Sequence, residues 1–428
     1  MSETSLAIIN ARLIDPASGF DGPGGVLIED GVIAQFGSEI DVDAADEVID
    51  AQGRILAPAL IDLRAAKEPA LTPDGETLST LTAGAAKGGY GTVVLAPNLR
   101  APLDKADGFD GMTKGFGRYG VRVLSACAAT QGLDGQHMSE IGLMVRGGAV
   151  YAGQGDHPIA NALTMRRLLA YTSQFDVWLS VRPADAALST GTVALESDWS
   201  ARMGLPAEPA ISERIAIERD TALAELTGGK LMIDRLSTQA GLKALRQARR
   251  SDLEIAATTA VAHLTLNEVD AGALDSAFRM DPPLRAESDR LSLVAALADG
   301  EIDAIVTDHR PTPFDDKGEP FALAIPGTMG LETALGALLA LAHDGEVELI
   351  DLLRALTCGP ADLLGLPQGR IAVGAPADLV LIDGDQPWVC KPEDFESARG
   401  NSAWAGRRFQ GRVLQTLVGG VTVYNSKV

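Results

Sequence analysis

Ile302-Asp303-Ala304-Ile305-Val306 is a short apolar run opened by the turn Asp299-Gly300 and closed abruptly by Thr307-Asp308-His309-Arg310-Pro311-Thr312. A run of that length between turn signals reads as a buried strand. The polar residues that follow then stand at the strand's carboxyl end. The same pattern recurs at Thr92 to Ala96, Val121 to Leu124, Val177 to Val181 and Lys230 to Ile233. Longer stretches lie between, and in Ile211 to Leu226 and Thr238 to Arg249 apolar residues return at helical spacing. Strand-then-helix repetition predicts an α/β fold with a parallel (β/α)₈ TIM-type barrel, whose reactive groups sit just past the carboxyl ends of the strands.

The two ends of the chain are written differently. Leu6 to Ile9, Arg12 to Ile14, Val26-Leu27-Ile28 and Val32 to Phe36 are short runs separated by turn residues, and Asp30-Gly31 between two of them is a hairpin signal. Ala377 to Asp383, Gly411 to Val418 and Val421 to Tyr424 repeat that style near the other end. These segments predict a discontinuous β-sandwich domain of residues 1–57 and 370–428 around a barrel of residues 58–369. Ser189 to Pro209, rich in small residues, reads as an exposed loop, and Gly88-Gly89-Tyr90-Gly91 as a helix-to-strand turn.

With 428 residues, 46% of them hydrophobic, the chain has enough apolar matter for one large barrel and an appendage. Asp and Glu number 58 against 36 Lys and Arg, for a formal charge of −22. Such a field repels nucleic acid and anionic lipid. No basic leader precedes an apolar stretch and no segment stays apolar long enough to span a bilayer, so a cytoplasmic location is expected. Cys127, Cys358 and Cys390 are an odd number, far apart and without CxxC spacing, and are expected to be reduced and buried.

Pro58-Ala59-Leu60-Ile61-Asp62-Leu63-Arg64-Ala65-Ala66-Lys67-Glu68-Pro69-Ala70 carries a specific resemblance. It is similar to the dihydroorotase and allantoinase branch of the amidohydrolases, whose motif here runs Pro-Gly-x-Ile-Asp-x-His-x-His-x-Arg-Glu-Pro-Gly. In that family the two histidines converge on a catalytic metal, because alternate strand residues point the same way. This chain has neither histidine and is one residue shorter between Leu63 and Lys67, with Arg64 in the vacated region. The resemblance continues over essentially the whole chain. Thr92 to Asn98 is similar to the family strand ending Met-Pro-Asn, so Asn98 is either a substrate contact or a turn residue. Lys67 either keeps the positive charge of the family's Arg or is an ordinary surface lysine. Asp281-Pro282-Pro283-Leu284-Arg285 resembles Asn-Pro-Pro-Leu-Arg, with Asp281 replacing a substrate-contacting Asn. An added negative charge there is expected to disfavour an anionic ligand.

The other metal-binding positions that the resemblance implies are also altered. Gln154 and Gly155 stand where the branch carries acids. Asp156 and His157 follow, but successive residues rarely aim at one point, and a solvated loop is the preferred reading for them. Val181-Arg182-Pro183-Ala184-Asp185 and Asp234-Arg235-Leu236-Ser237-Thr238 resemble His-x-Glu-Asp and His-x-Ser-Thr, with arginine in both histidine positions. A permanently cationic guanidinium cannot ligate a divalent cation. Arg182 and Arg235 are expected instead to fill the vacated volume and neutralise Asp308. Asp299 to Thr312 is close to Asp-Gly-x-Ile-Asp-x-Ile-x-Thr-Asp-His-Ala-Pro-His. Asp308, the family's metal ligand and proton shuttle, is kept as a vestige, His309 is kept as a pocket remnant, and the final His is Thr312.

Among the five histidines, His137, His157 and His343 read as surface residues and His263, in Val261-Ala262-His263-Leu264, as a core residue. The hydrolysis that the resemblance implies requires a metal-activated hydroxide. With no metal or other cofactor expected, the resemblance points to the non-catalytic members of the family, which implies association with aspartate carbamoyltransferase in pyrimidine biosynthesis. Two other readings stand beside it. One is an active cyclic amidase holding zinc through Asp308 and unusual donors. The other is a sensor that binds a small anion through Arg182, Arg235 and Asn98.

Overall fold

The computed structural model describes residues 5–67, 75–97, 102–251, 253–272, 274–312, 317–398 and 400–426. Asp30 and Gly31 both take positive φ, 51° and 76°, and join strand Phe20–Glu29 to Val32–Gly37 in a two-residue hairpin. That is the geometry an Asp-Gly pair favours, because its twist matches that of the strands. Strand Leu6–Asp15 pairs with Phe20–Glu29 and absorbs an irregularity near Asn10, whose φ is 54°. The two short runs read from the sequence are therefore one bulged strand.

Strand Ile55–Pro58 runs beside Leu6–Asp15 and on its other edge meets Leu379–Val389, with Pro58 opposite Leu379. Arg408–Val418 and Val421–Asn425 continue outward, so one eight-stranded sheet contains segments from both ends of the chain. Ile8, Leu13, Val26, Ile28, Leu56, Leu379, Leu381 and Leu417 form its buried core. Each large aliphatic side chain buried in this way contributes about 1.5–3 kcal/mol.

The barrel strands, numbered here along the chain, are β1 (Leu60–Ala65), β2 (Tyr90–Leu95), β3 (Arg122–Ser125, resumed after Ala126 as Cys127–Ala128), β4 (Ala152–Gly153), β5 (Leu179–Val181), β6 (Leu231–Ile233), β7 (Ile255–Ala260) and β8 (Ala304–Val306). All neighbouring pairs are parallel, and an isolated parallel bridge between Ala65 and His309 closes the ring from β8 to β1. The chain is thus a TIM barrel joined to a β-sandwich. Helices Ile211–Thr227 and Gln239–Ala248 occupy the segments with helical periodicity. The helix Leu78–Lys87 ends at Gly88, Gly89 takes φ +88°, and β2 begins at Tyr90, which is the turn its glycines predict.

The segment expected as an exposed loop, Ser189 to Pro209, is built instead. It holds a helix, Asp198–Met203, and a parallel pair, Ala194–Leu195 with Ala207–Glu208. Val193, Ala194 and Phe321 make a small apolar cluster beneath it, and Glu208 is buried. Small residues here permit close packing, which composition alone cannot distinguish from flexibility. All three cysteines are buried and unbonded. No helix among the described residues is long and apolar enough to cross a membrane.

Candidate functional site

Arg64 leaves the end of β1 with its side chain only 5% exposed, and each of its nitrogens meets a different carboxylate. Nε lies 2.8 Å from Asp308, Nη2 2.6 Å from Asp156 and Nη1 2.9 Å from Asp234. Arg235, just past β6 and 1% exposed, contacts the same three acids at 3.2, 2.7 and 3.2 Å. Its Nη1 also donates to the carbonyl of Asp281. Arg310, two residues beyond Asp308, adds a bond of 2.8 Å to the second oxygen of Asp156. The cluster therefore ties together the carboxyl ends of β1, β4, β6 and β8.

The backbone is shaped for this convergence. Arg235 and Asp308 both adopt the left-handed region, with φ of 60° and 48°. Non-glycine residues enter it at a cost and remain there when surrounding contacts hold them. Gly155, at φ +64°, turns the chain after β4 so that Asp156 faces inward while His157 stays exposed. Burial by itself raises the carboxyl of Asp156, but Arg235, Arg64 and Arg310 outweigh it and hold the group well below the usual carboxylate range. Burial likewise opposes the charge on Arg235, and Asp308, Asp234 and Asp156 overcome it, leaving the guanidinium more firmly protonated than in water.

A second layer abuts the first. Arg182, past β5, pairs with Asp281 at 2.7 Å and lies 3.7 Å from Glu208. Arg285 binds Glu208 at 2.5 Å and the hydroxyl of Ser237 at 3.0 Å. Glu213 accepts bonds from the backbone N–H and hydroxyl of both Ser237 and Thr238. Desolvation still raises its carboxyl, while Arg285 and these donors pull the other way.

Several expectations need correcting. Asp156 is no part of a solvated loop, since its side chain is 13% exposed and anchors three arginines. Arg182 does not neutralise Asp308, because its reach ends at Asp281 and Glu208, and Arg64 performs that task beside Arg235. The negative charge expected at Asp281 is already answered by Arg182.

Gln154 occupies its position without touching the cluster: its oxygen accepts from Thr130 and its nitrogen donates to the carbonyl of Leu133. His309 is buried, with Nδ1 accepting from the backbone of Gly330 and Leu331 and Nε2 facing Glu76 at 3.4 Å, so it braces the wall. Lys67 is half-buried and Asn98 lies outside the described residues. His263 is buried, and desolvation together with Arg285 pushes it down to about 3, which keeps it neutral. His137 and His343 are exposed.

The residues present do not fit the divalent metal that the family resemblance implies. Among the described residues no group of three His, Cys, Asp or Glu is arranged to hold a metal ion. The space where the strand ends converge is taken by guanidiniums, which have no lone pair to offer. Asp308 and Asp156 already spend both oxygens on arginine, and Asp234 spends one.

A parallel barrel joined to a β-sandwich, with its polar cluster at the carboxyl ends of the strands, defines an amidohydrolase-type protein. Residues 237–423 match the model of the Amidohydrolase family. Proteins named dihydroorotase are similar throughout. That of Anaeromyxobacter dehalogenans (strain 2CP-1) is 35% identical over 422 residues, covering 98% of either chain. That of Ehrlichia chaffeensis is 35% identical over 438 residues, covering all of this chain and 96% of its own. The chain belongs to the dihydroorotase family. In fold it superposes on the L-hydantoinase (dihydropyrimidinase) of Arthrobacter aurescens with a TM-score of 0.88 at 22% identity, covering 99% of this chain and 96% of the other.

Proposed function

We propose that this chain is a catalytically silent member of the dihydroorotase family that serves pyrimidine biosynthesis by supporting the assembly of aspartate carbamoyltransferase. The observation that carries the reading is the double grip of Arg64 and Arg235 on Asp156, Asp234 and Asp308. A hydrolase of this family needs an activated hydroxide at that point. Here arginines occupy the positions where the family presents imidazoles, and they are ion-paired to the acids a metal would use. The same contacts cross-link four strand ends into a stiff frame, which suits a protein whose task is to present a surface.

The two competing readings have less support. An atypical zinc amidase would need Asp308 free to ligate, and Asp308 is held by two guanidiniums. A sensor built on Arg182 and Arg235 would need those cations available, and both are spent on carboxylates.

The test joins two measurements on the purified protein. Metal content and dihydroorotate turnover are determined before and after zinc addition. The mass of aspartate carbamoyltransferase from the same organism is then measured with and without this chain. We expect less than a tenth of an equivalent of metal, no turnover, and a larger transferase assembly when the chain is present. Stoichiometric metal with turnover would sink the silent reading, and an unchanged transferase would sink the assembly role.

A further inference from the structure

We propose that a cavity remote from the arginine cluster, at the seam between barrel and terminal sheet, is a binding site for a small anion that carries a planar ring. The cavity measures about 300 Å³. Ligand pockets span roughly 300–1,000 Å³, so this one suits a compact metabolite. It opens where the end of helix Leu78–Lys87 and helix Ala334–His343 meet strands Leu379–Val389, Arg408–Val418 and Val421–Asn425.

Its aromatic surface comes from Trp388, Phe395 and Tyr424. Trp388 is fixed in place, its Nε1 donating to the carbonyl of Gly411 at 2.8 Å and its ring packed 5.1 Å from that of Phe409. An aromatic face held in this way offers contact area at little entropic cost to a flat ligand.

The charges of the lining divide into two groups. Lys87 is committed to Glu332 at 3.1 Å and to the carbonyl of Asp394. Glu332 spends its oxygens further on the backbone N–H groups of Glu396 and Ser397, and Asp394 is an exposed residue. Lys391 and Arg412 make no side-chain hydrogen bond or ion pair among the described residues. What sets Lys391 and Arg412 apart from other unpaired surface cations is that both line the same cavity as the aromatic rings. A guanidinium and an ammonium together recognise a carboxylate or a phosphate. The ring and the charge of the ligand would thus meet different walls of one cavity.

Calorimetric titration at low salt tests this with four probes: 1-naphthoate, adenosine 5′-monophosphate, inorganic phosphate and adenosine. One or both ring-bearing anions should bind at least about tenfold more tightly than phosphate or adenosine, and the better of the two tells whether the site prefers carboxylate or phosphate. The double variant Lys391→Ala/Arg412→Ala should weaken that binding at least about tenfold, and Arg412→Gln alone by a smaller factor. A control, Arg166→Ala/Arg167→Ala on exposed residues of another helix, should bind like wild type. Absence of binding by both ring anions overturns the proposal, and so does binding that survives loss of Lys391 and Arg412. Binding of phosphate alone as tight as the ring-bearing phosphate removes the aromatic half of the site and overturns it equally.

Discussion

Arg64 and Arg235, 171 positions apart in the chain, hold the same three carboxylates from two strand ends. Each guanidinium directs separate nitrogens at Asp156, Asp234 and Asp308, so neither arginine is redundant with the other.

Loss of either arginine leaves buried acids short of a partner. Arg235→Met is expected to cost about 3–5 kcal/mol, the range for breaking a buried ion pair from one side. Arg235→Lys should recover only part of it, because an ammonium gathers its three donors on one nitrogen and cannot span the separated acids that three guanidinium nitrogens meet. Urea unfolding of the three proteins at pH 7 checks the order, and a lysine variant as stable as wild type would contradict the geometry.

Asp156 makes a prediction for acid. Its carboxyl is held well below the usual range when folded, against an unfolded value of about 3.9. The folded state therefore binds this proton less readily than the unfolded one. The resulting stabilisation is present above about pH 4 and is lost as pH falls toward the folded value. Asp156→Asn should lower stability at pH 7 and flatten its decline below pH 4. Urea midpoints measured from pH 2 to 7 give the comparison.

Lys317 acts in the opposite direction. Burial first, then Arg279 and Arg310, push its ammonium down to about 7. Between pH 7 and its unfolded value of about 10.4 the unfolded chain holds the extra proton, so stability rises with pH across that window. Lys317→Met removes the titration. The variant should gain on wild type near pH 6, and the advantage should shrink toward pH 10 in thermal melts. A difference independent of pH would mean that the ammonium is not desolvated.

Glu213 is the fourth case. Its carboxylate accepts from four donors, the backbone N–H and hydroxyl of Ser237 and of Thr238, which stand two and three positions after Arg235. Glu213→Ala should cost several kcal/mol, about 1–3 for each buried donor left without a partner. Glu213→Gln should cost less, since one acceptor oxygen remains. Melting temperatures of both variants distinguish this bracing role from a merely space-filling one.

The barrel was legible because strand and helix periods alternate plainly, and because Asp30-Gly31 and Gly88-Gly89 permit few other turns. The replaced positions at Arg182 and Arg235 were legible because motif spacing survives around them. Partners were harder. That Arg182 answers Asp281 while Arg64 answers Asp308 depends on side-chain reach across the barrel, which no local pattern encodes. Asp156 was misread because adjacency to His157 argued against a shared target, and the positive φ of Gly155 that turns Asp156 inward has no signature beyond the glycine itself. Glu208 was hidden in a stretch whose small residues looked like a loop.

The pairing of Pro58 with Leu379 orders events on the ribosome. Strand Ile55–Pro58 emerges early and finds its antiparallel neighbour only after the whole barrel has been translated. Until then the first strands present an open edge, so the nascent chain carries a period of exposure to aggregation or chaperone capture that the finished protein does not have.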